Sequence, residues 1–271
     1  SVFEVTLASS NPYHINLFTI PIVKKGSSRE WIGSGRYRFA ADEAGNRCLE
    51  HYENPLYAET FGIETIRLSE LENANGIYYN FNYGVLHAAY ADLSEGISHY
   101  KGNIELVSFP TSTFVFAAVN FKKDYFRSAD AVRGISYCIN RTEMSDRLFG
   151  NVCDIVWQPF HPSWNKIAVG ELNRDIYSTV IANDYFAKAG YKLSGTSRLW
   201  GRDQISLKIV CNNEDITKVE AAKYIASSLK SMGFSAEVVQ YNWENYKKAV
   251  ASGDFDIYIG KVALPANMDL S

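Results

Sequence analysis

Residues 206–259 read SLKIVCNNEDITKVEAAKYIASSLKSMGFSAEVVQYNWENYKKAVASGDFDIYI, and the periodicity of this stretch decides the fold class. Ser206–Val210 is a short run rich in apolar residues, of strand length and followed by a polar loop. From Lys218 to Met232 the apolar residues recur at helical spacing, and Gly233 follows as a residue able to take the left-handed conformation that ends a helix. Ala236–Val239 predicts a second strand, Trp243–Ala251 a second helix, and Asp256–Ile259 a third strand. Strands alternating with helices in this way predict parallel strands joined by right-handed crossovers, an α/β lobe.

Outward from that stretch the pattern changes. The region from Val2 to about Leu71 is strand-rich: Phe3–Leu7 alternates, Gly33-Ser34-Gly35 marks a turn before the strand Tyr37–Phe39, and Ile63–Leu68 alternates again. Asn75–Tyr100 predicts a helix that ends near Gly102. Phe114–Val119 is dense in aromatic and β-branched residues and predicts a strand buried on both faces, as in the middle of a sheet. A cap at Ser128 or Asp130 starts a helix that runs through Val132, Ile135 and Ile139 into Met144, and a further helix over Tyr185–Ala189 ends at Gly190.

The bulk properties exclude several functions. The chain has 271 residues, with 27 basic against 30 acidic side chains and a formal charge of −3. The basic residues are scattered, so no footprint for a nucleic acid backbone exists. No apolar run approaches the roughly 20 residues that cross a bilayer, and the N-terminus lacks a signal-peptide pattern. The chain begins on a strand pattern at Ser1 and stops at Ser271 without a capping signal, which predicts truncation at both ends. Cys48, Cys138, Cys153 and Cys211 form no C-x-x-C pair and no zinc spacing, and are expected as buried free thiols rather than disulfides.

Motifs for chemistry are tested and fail. Gly33-Ser34-Gly35 is only half of a dinucleotide fingerprint and precedes a strand, so no helix N-terminus awaits a pyrophosphate. Walker loop, nucleophile elbow and H-E-x-x-H are absent from the sequence, and no enzyme activity is expected. His14, His51, His87, His99 and His161 include no i, i+3 or i, i+4 pair, so no metal site and no cofactor is expected. Asp254 and Asp256 share the spacing of an acid–base pair, but read as a strand-end pair in solvent. Asn140-Arg141-Thr142 matches a glycosylation acceptor within a predicted helix and is discounted. The 18 Tyr, 15 Phe and 5 Trp suit a cleft that binds ligands of variable side chain.

Several segments, in order, resemble one family. Ile22-Val23-Lys24-Lys25 with Trp31–Phe39 is similar to an "I-x-x-K … G-T-G-P-Y" strand–turn–strand, Ser34 and Arg36 standing for the usual Thr and Pro. Val119-Asn120-Phe121, Phe126–Arg133 and Ile139–Glu143 resemble "F-N … P-F-x-D-x-R-V-R-x-A-I-x-x-A-I-D-R", with Asn140 in place of Asp and Gly134 where Gln or Lys is common. Trp157-Gln158-Pro159, Ala187–Tyr191, Gly253–Asp256 and the closing 260–271 continue the series. The family is that of the ABC-importer solute-binding proteins, family 5, which take up dipeptides, oligopeptides and nickel.

The resemblance implies an α/β, two-lobed clamp of the periplasmic-binding-protein-like type II, with an incomplete first lobe: residues 1–113 in lobe I and 114–271 in lobe II, the C-terminal return to lobe I missing. Hinge closure would capture the solute and present a surface to the permease. It implies a peptide or other small solute as ligand, ABC permease subunits as partners, a monomer, and an extracytoplasmic location with any lipid anchor lying N-terminal to this chain. Asp269 is the expected partner of a ligand ammonium group, since a desolvated cation needs an anion. Phe114 or Phe116 is a candidate to face the ligand while alternate residues face the core, and Lys261 is a candidate for a ligand carboxylate, although an acidic residue is usual there. The alternatives are the ligand-sensing half of a transcription regulator, and a nickel- or oligosaccharide-binding member of the same family. A hydrolase would need paired carboxylates across a cleft, and the sequence offers none that can be assigned.

Overall fold

A computed structural model describes residues 4–10, 12–19, 25, 33–53, 62–71, 74–90, 105, 107, 109, 111–150, 152–160 and 176–266. In chain order they form β1 (Tyr37–Ala41), β2 (Arg47–His51), β3 (Thr65–Arg67), α1 (Ala74–Asn82), β4 (Thr113–Val119), α2 (Ala129–Cys138), α3 (Arg141–Phe149) and α4 (Thr179–Lys188). There follow β5 (Lys192–Ser194), β6 (Ser197–Trp200), β7 (Asp203–Gln204), β8 (Ser206–Asn212), α5 (Ile216–Ser231), β9 (Ser235–Tyr241), α6 (Trp243–Ser252) and β10 (Ile257–Ala263).

The β-α-β-α-β series is present as read. β8, β9 and β10 run parallel, and the sheet order is β4-β10-β8-β9. Because β8 connects to its neighbour β9, while β9 connects back across β8 to β10, crossovers of one hand must place α5 and α6 on opposite faces. The packing follows. Leu207, Ile209, Cys211, Ile257 and Ile259 point to one face and pack with Val219, Ala222, Ile225, Ala226 and Leu229 of α5 in the larger core. Val210, Val239 and Tyr258 point to the other, where Tyr246, Ala249 and Val250 of α6 and the loop residue Phe255 complete a smaller one. The period-2 alternation of the strands thus feeds two cores from one sheet.

The starts of α2 to α6 each have a chemical reason. The side chains of Ser128, Asn140, Ser178, Asp215 and Asn242 accept hydrogen bonds from backbone N–H groups in the first turns of α2, α3, α4, α5 and α6. α2 packs on α4 at Gly134, where a Cβ would lie 2.5 Å from the ring of Phe186. The glycine that departs from the family pattern is therefore a contact requirement. Elsewhere β1, β2 and β3 form an antiparallel meander in which Cys48 is buried, and β5, β6 and β7 form a second one.

Several expectations are corrected. Residues 4–7 are not a strand. α1 stops at Asn82, and residues 83–90 are not helical, with Gly84 in the left-handed region at φ 71°; the rest of that expected helix lies outside the described residues. The helix expected to run from Ser128 into Met144 is two helices: Ile139 is extended (φ −100°, ψ 114°), and Asn140 caps α3 by accepting from the Glu143 N–H. A side chain that bonds its own downstream backbone competes with helix continuation. β4 lies at the edge of its sheet among the described residues rather than in the middle, and is only partly buried. All four cysteines are free thiols; Cys48, Cys138 and Cys211 are buried, but Cys153 is exposed.

Candidate functional site

In an open parallel sheet the backbone leaves a crevice at the carboxyl ends of the strands, where successive connections depart to opposite faces. Here the carboxyl ends of the parallel neighbours β8 and β10 lie side by side, and α5 leaves β8 on one face of the sheet. Asp215, at the end of the loop after β8, sits at this point. Its Oδ1 accepts from the backbone N–H groups of Thr217 (3.1 Å) and Lys218 (3.3 Å), capping α5. Its Oδ2 faces two ammonium groups, Lys261 Nζ at 3.3 Å and Lys218 Nζ at 3.9 Å.

Lys218 is only 7% exposed. Its Nζ lies 5.9 Å from the ring centroid of Trp243 and 5.7 Å from that of Tyr246, within cation–π reach of both. Desolvation pulls the Lys218 pKa below the usual lysine value, and the Asp215 charge pulls the other way. Trp243, 46% exposed, stacks on Tyr246 and donates its backbone N–H to Glu214 Oε1 at 3.1 Å. The Tyr246 hydroxyl donates to the Ile259 carbonyl at 2.7 Å, and burial pushes its pKa up to about 12. The result is a charged cluster in which two lysines share Asp215 and Glu214 also acts on Lys218, rimmed by an exposed indole.

Lys261, expected from the sequence, belongs to this cluster. Phe114 and Phe116 do not: they share the opposite face of the β4–β10 ladder, stack on each other with centroids 5.4 Å apart, and Phe116 meets Tyr258 edge-on. Both are half-buried, while Val115 and Val119, alternate to them, pack against the larger core. Asp269 lies outside the described residues. Sequence reading missed Asp215, Lys218 and Trp243. The polar loop ahead of α5 carried the signal, an Asp one residue before a helical pattern.

Asp254 and Asp256 are not the solvent-exposed pair expected of them. Asp256 is 4% exposed, accepts the Tyr125 hydroxyl on Oδ1 and the Lys208 backbone N–H on Oδ2 at 2.7 Å, and has Lys123 Nζ at 3.5 Å. Asp254 is exposed and pairs with Lys208 Nζ at 2.8 Å. Asn120 closes the same corner by donating its side-chain amide to the carbonyls of Gly253 and Phe255, each at 3.0 Å. Two motifs far apart in sequence, Asn120 and Gly253–Asp256, are thus one structural pin. Among the described residues no group of three or more His, Cys, Asp or Glu could hold a metal ion, and no helix is long and apolar enough to cross a membrane. A shallow recess of about 450 Å³ beside Val5, Leu7 and Pro12 shares no residue with the charged cluster.

Residues 2–267 match the bacterial extracellular solute-binding proteins, family 5 Middle. The chain belongs to this family. Its members are solute-binding proteins and not enzymes. Solved structures share the α/β, periplasmic-binding-protein-like fold. A nickel ABC transporter protein from Bacillus halodurans is 16% identical, with a TM-score of 0.68 over 86% of this chain and 48% of its own. The ABC transporter substrate-binding protein CtaP from Listeria monocytogenes is 15% identical, with a TM-score of 0.65 over 94% of this chain and 51% of its own. The oligopeptide-binding protein AppA from Bacillus subtilis, solved with a nonapeptide, is 17% identical, with a TM-score of 0.59 over 86% of this chain and 48% of its own. The chain therefore spans about half the length of these family 5 structures. No curated protein matches it.

Proposed function

We propose that this chain is part of the substrate-binding component of an ABC importer, which captures a short peptide outside the cytoplasmic membrane and delivers it to the permease. Membership of family 5 supports the importer role, and residues 1–113 and 114–271 are assigned to the two lobes that close on the solute. The protein works as a monomer, since a clamp must expose one face to its permease, and a lipid anchor N-terminal to this chain holds it at the membrane. The peptide assignment is carried by one observation. At the carboxyl ends of β8 and β10, Lys261 and Lys218 bracket Asp215 beside the exposed indole of Trp243, a mixture of opposite charges and aromatic surface that suits a zwitterion with variable side chains. Asp269 takes the ligand ammonium and Lys261 the carboxylate end, while Phe114 or Phe116 offers the ligand a separate aromatic surface on the other face of the β4–β10 ladder.

Native mass spectrometry of the complete mature protein, purified gently and then denatured, tests this reading. A released mixture of short peptides is expected. A released sugar or metal ion, or an empty protein that gains no mass when incubated with a peptide mixture, would overturn the peptide assignment.

A further inference from the structure

Among the described residues, β4 leads into the sheet of the α/β lobe and β10 leads out of it. The two run side by side as one antiparallel ladder, from Ile257↔Val119 at one end to Ala263↔Thr113 at the other. The ladder gains one more bond, in which the Leu264 N–H donates to the Ser112 carbonyl at 2.8 Å. It cannot go further on the outgoing side. Residue 265 is a proline, which has no N–H to donate, and Pro110, two residues ahead of Ser112 in the sequence, has none either. The next residue out is held from elsewhere. Asn16, in a 3-10 turn over His14–Leu17, donates its side-chain amide to the Ala266 carbonyl at 3.1 Å, across 250 positions of sequence. Leu264 is buried at the last bond of the ladder, and Ala266 is exposed and tied to the N-terminal region. Pro265 is the single residue between these two anchors.

We infer that Pro265 is the pivot of the outgoing crossover, and that Asn16 is the positioning residue that holds the far side of the pivot while the lobes move. This deepens the two-lobed clamp proposed above and rests on it. The proline ring fixes its own φ at about −65° and keeps the residue before it, Leu264, in the extended region. One soft torsion at the pivot is therefore locked and another restricted, which leaves the turn to ψ of Pro265 and to Ala266. A pivot with few free bonds carries the lobes along a narrow arc, whereas a glycine in the same place opens most of the φ/ψ map.

The test uses the complete mature protein with two nitroxide labels, one on the exposed thiol of Cys153 and one on Ala44→Cys in the exposed turn between β1 and β2. Cys48, Cys138 and Cys211 are buried and stay unlabelled. Double electron–electron resonance reads the distance distribution with and without a tryptic digest of casein as the source of short peptides. In the protein with native crossovers, peptide is expected to shift the mean distance while both distributions stay narrow. Pro265→Gly is expected to widen the peptide-free distribution by at least about half, with Pro265→Ala between the two. Asn16→Ala widens it as well, and Ala251→Gly, at an exposed position of α6 away from the crossover, leaves it unchanged. A shift with peptide but no widening in Pro265→Gly overturns the pivot and leaves the clamp standing. Equal widening in Ala251→Gly does the same, being the mark of a general loosening. Widening in Pro265→Gly but not in Asn16→Ala keeps the pivot and removes Asn16 from it. A distribution that does not move with peptide overturns the peptide clamp, and the pivot with it.

Discussion

The ring of Phe116 fills the space that a side chain on Gly260 would need. The two residues face each other across the β4–β10 ladder, and a Cβ on Gly260 would come within 2.3 Å of the Phe116 ring. Glycine here serves an approach between strands rather than a turn, and it seats the half of the aromatic stack that Phe114 completes.

Gly260→Ala is therefore expected to destabilise the complete protein by about 1–3 kcal/mol, the usual cost of forcing a methyl into a packed contact. Pairing it with Phe116→Leu should recover a large part of the loss, because the two changes share one contact. Thermal melts of both single variants and the double variant provide the cycle. Strict additivity would show that the ring does not occupy that space.

At the α2–α4 contact, Gly134→Ala meets Phe186, a fully buried side chain with no solvent side to move toward. A loss of about 1–3 kcal/mol is again expected, here with no effect on ligand affinity, since the contact belongs to the larger core and not to the charged cluster. Denaturant midpoint and calorimetry, measured on the same preparation, separate the two effects.

The pin at Asp256 predicts an asymmetry between its two partners. Asp256→Ala leaves the Tyr125 hydroxyl and the Lys208 N–H without their acceptor in a buried corner, whereas Tyr125→Phe removes only one donor. The first should cost about 2–4 kcal/mol and the second about 1 kcal/mol. Equal losses in thermal melts would place the weight of the pin elsewhere.

Alkaline pH should unfold the protein in a definite order. Burial pushes the Cys138 thiol up to about 12 and the Cys211 thiol to about 11, from 9.0. Burial likewise pushes the Tyr246 hydroxyl to about 12, from 10.0. Raised folded values favour the protonated forms, so the associated stability is present below the ordinary values and is lost as the pH climbs through the folded ones. Melting temperature should hold to about pH 9 and then fall towards pH 12. With Cys138→Ala and Cys211→Ala combined, the fall should begin nearer pH 10, where tyrosine takes over. An unchanged melting temperature from pH 8 to 11 would contradict this.

The strands and helices of residues 206–259 were legible from the sequence because local physics suffices there. Short apolar strands, a 16-residue helix of apolar periodicity, a capping residue before each helix and Gly233 or Gly253 after it all act within a few residues. The same locality explains the misreadings. The break at Ile139 depends on one Asn140 side chain choosing its own backbone, and apolar spacing continues smoothly across it. β4 reads as a central strand because its aromatic residues are stacked on each other and over Gly260, which looks like two-sided burial in one dimension.

What the sequence determined by itself was the alternation of elements, and with it the parallel sheet and the family pattern carried along the chain. Only the tertiary structure decided the strand order β4-β10-β8-β9, the burial of Asp256, and the meeting of Lys261 with Asp215 and Lys218. The reason is physical. Helix and strand propensities arise between residues a few positions apart, but the partner of Lys261 lies 46 residues away and is fixed only once two crossovers have brought the ends of β8 and β10 side by side.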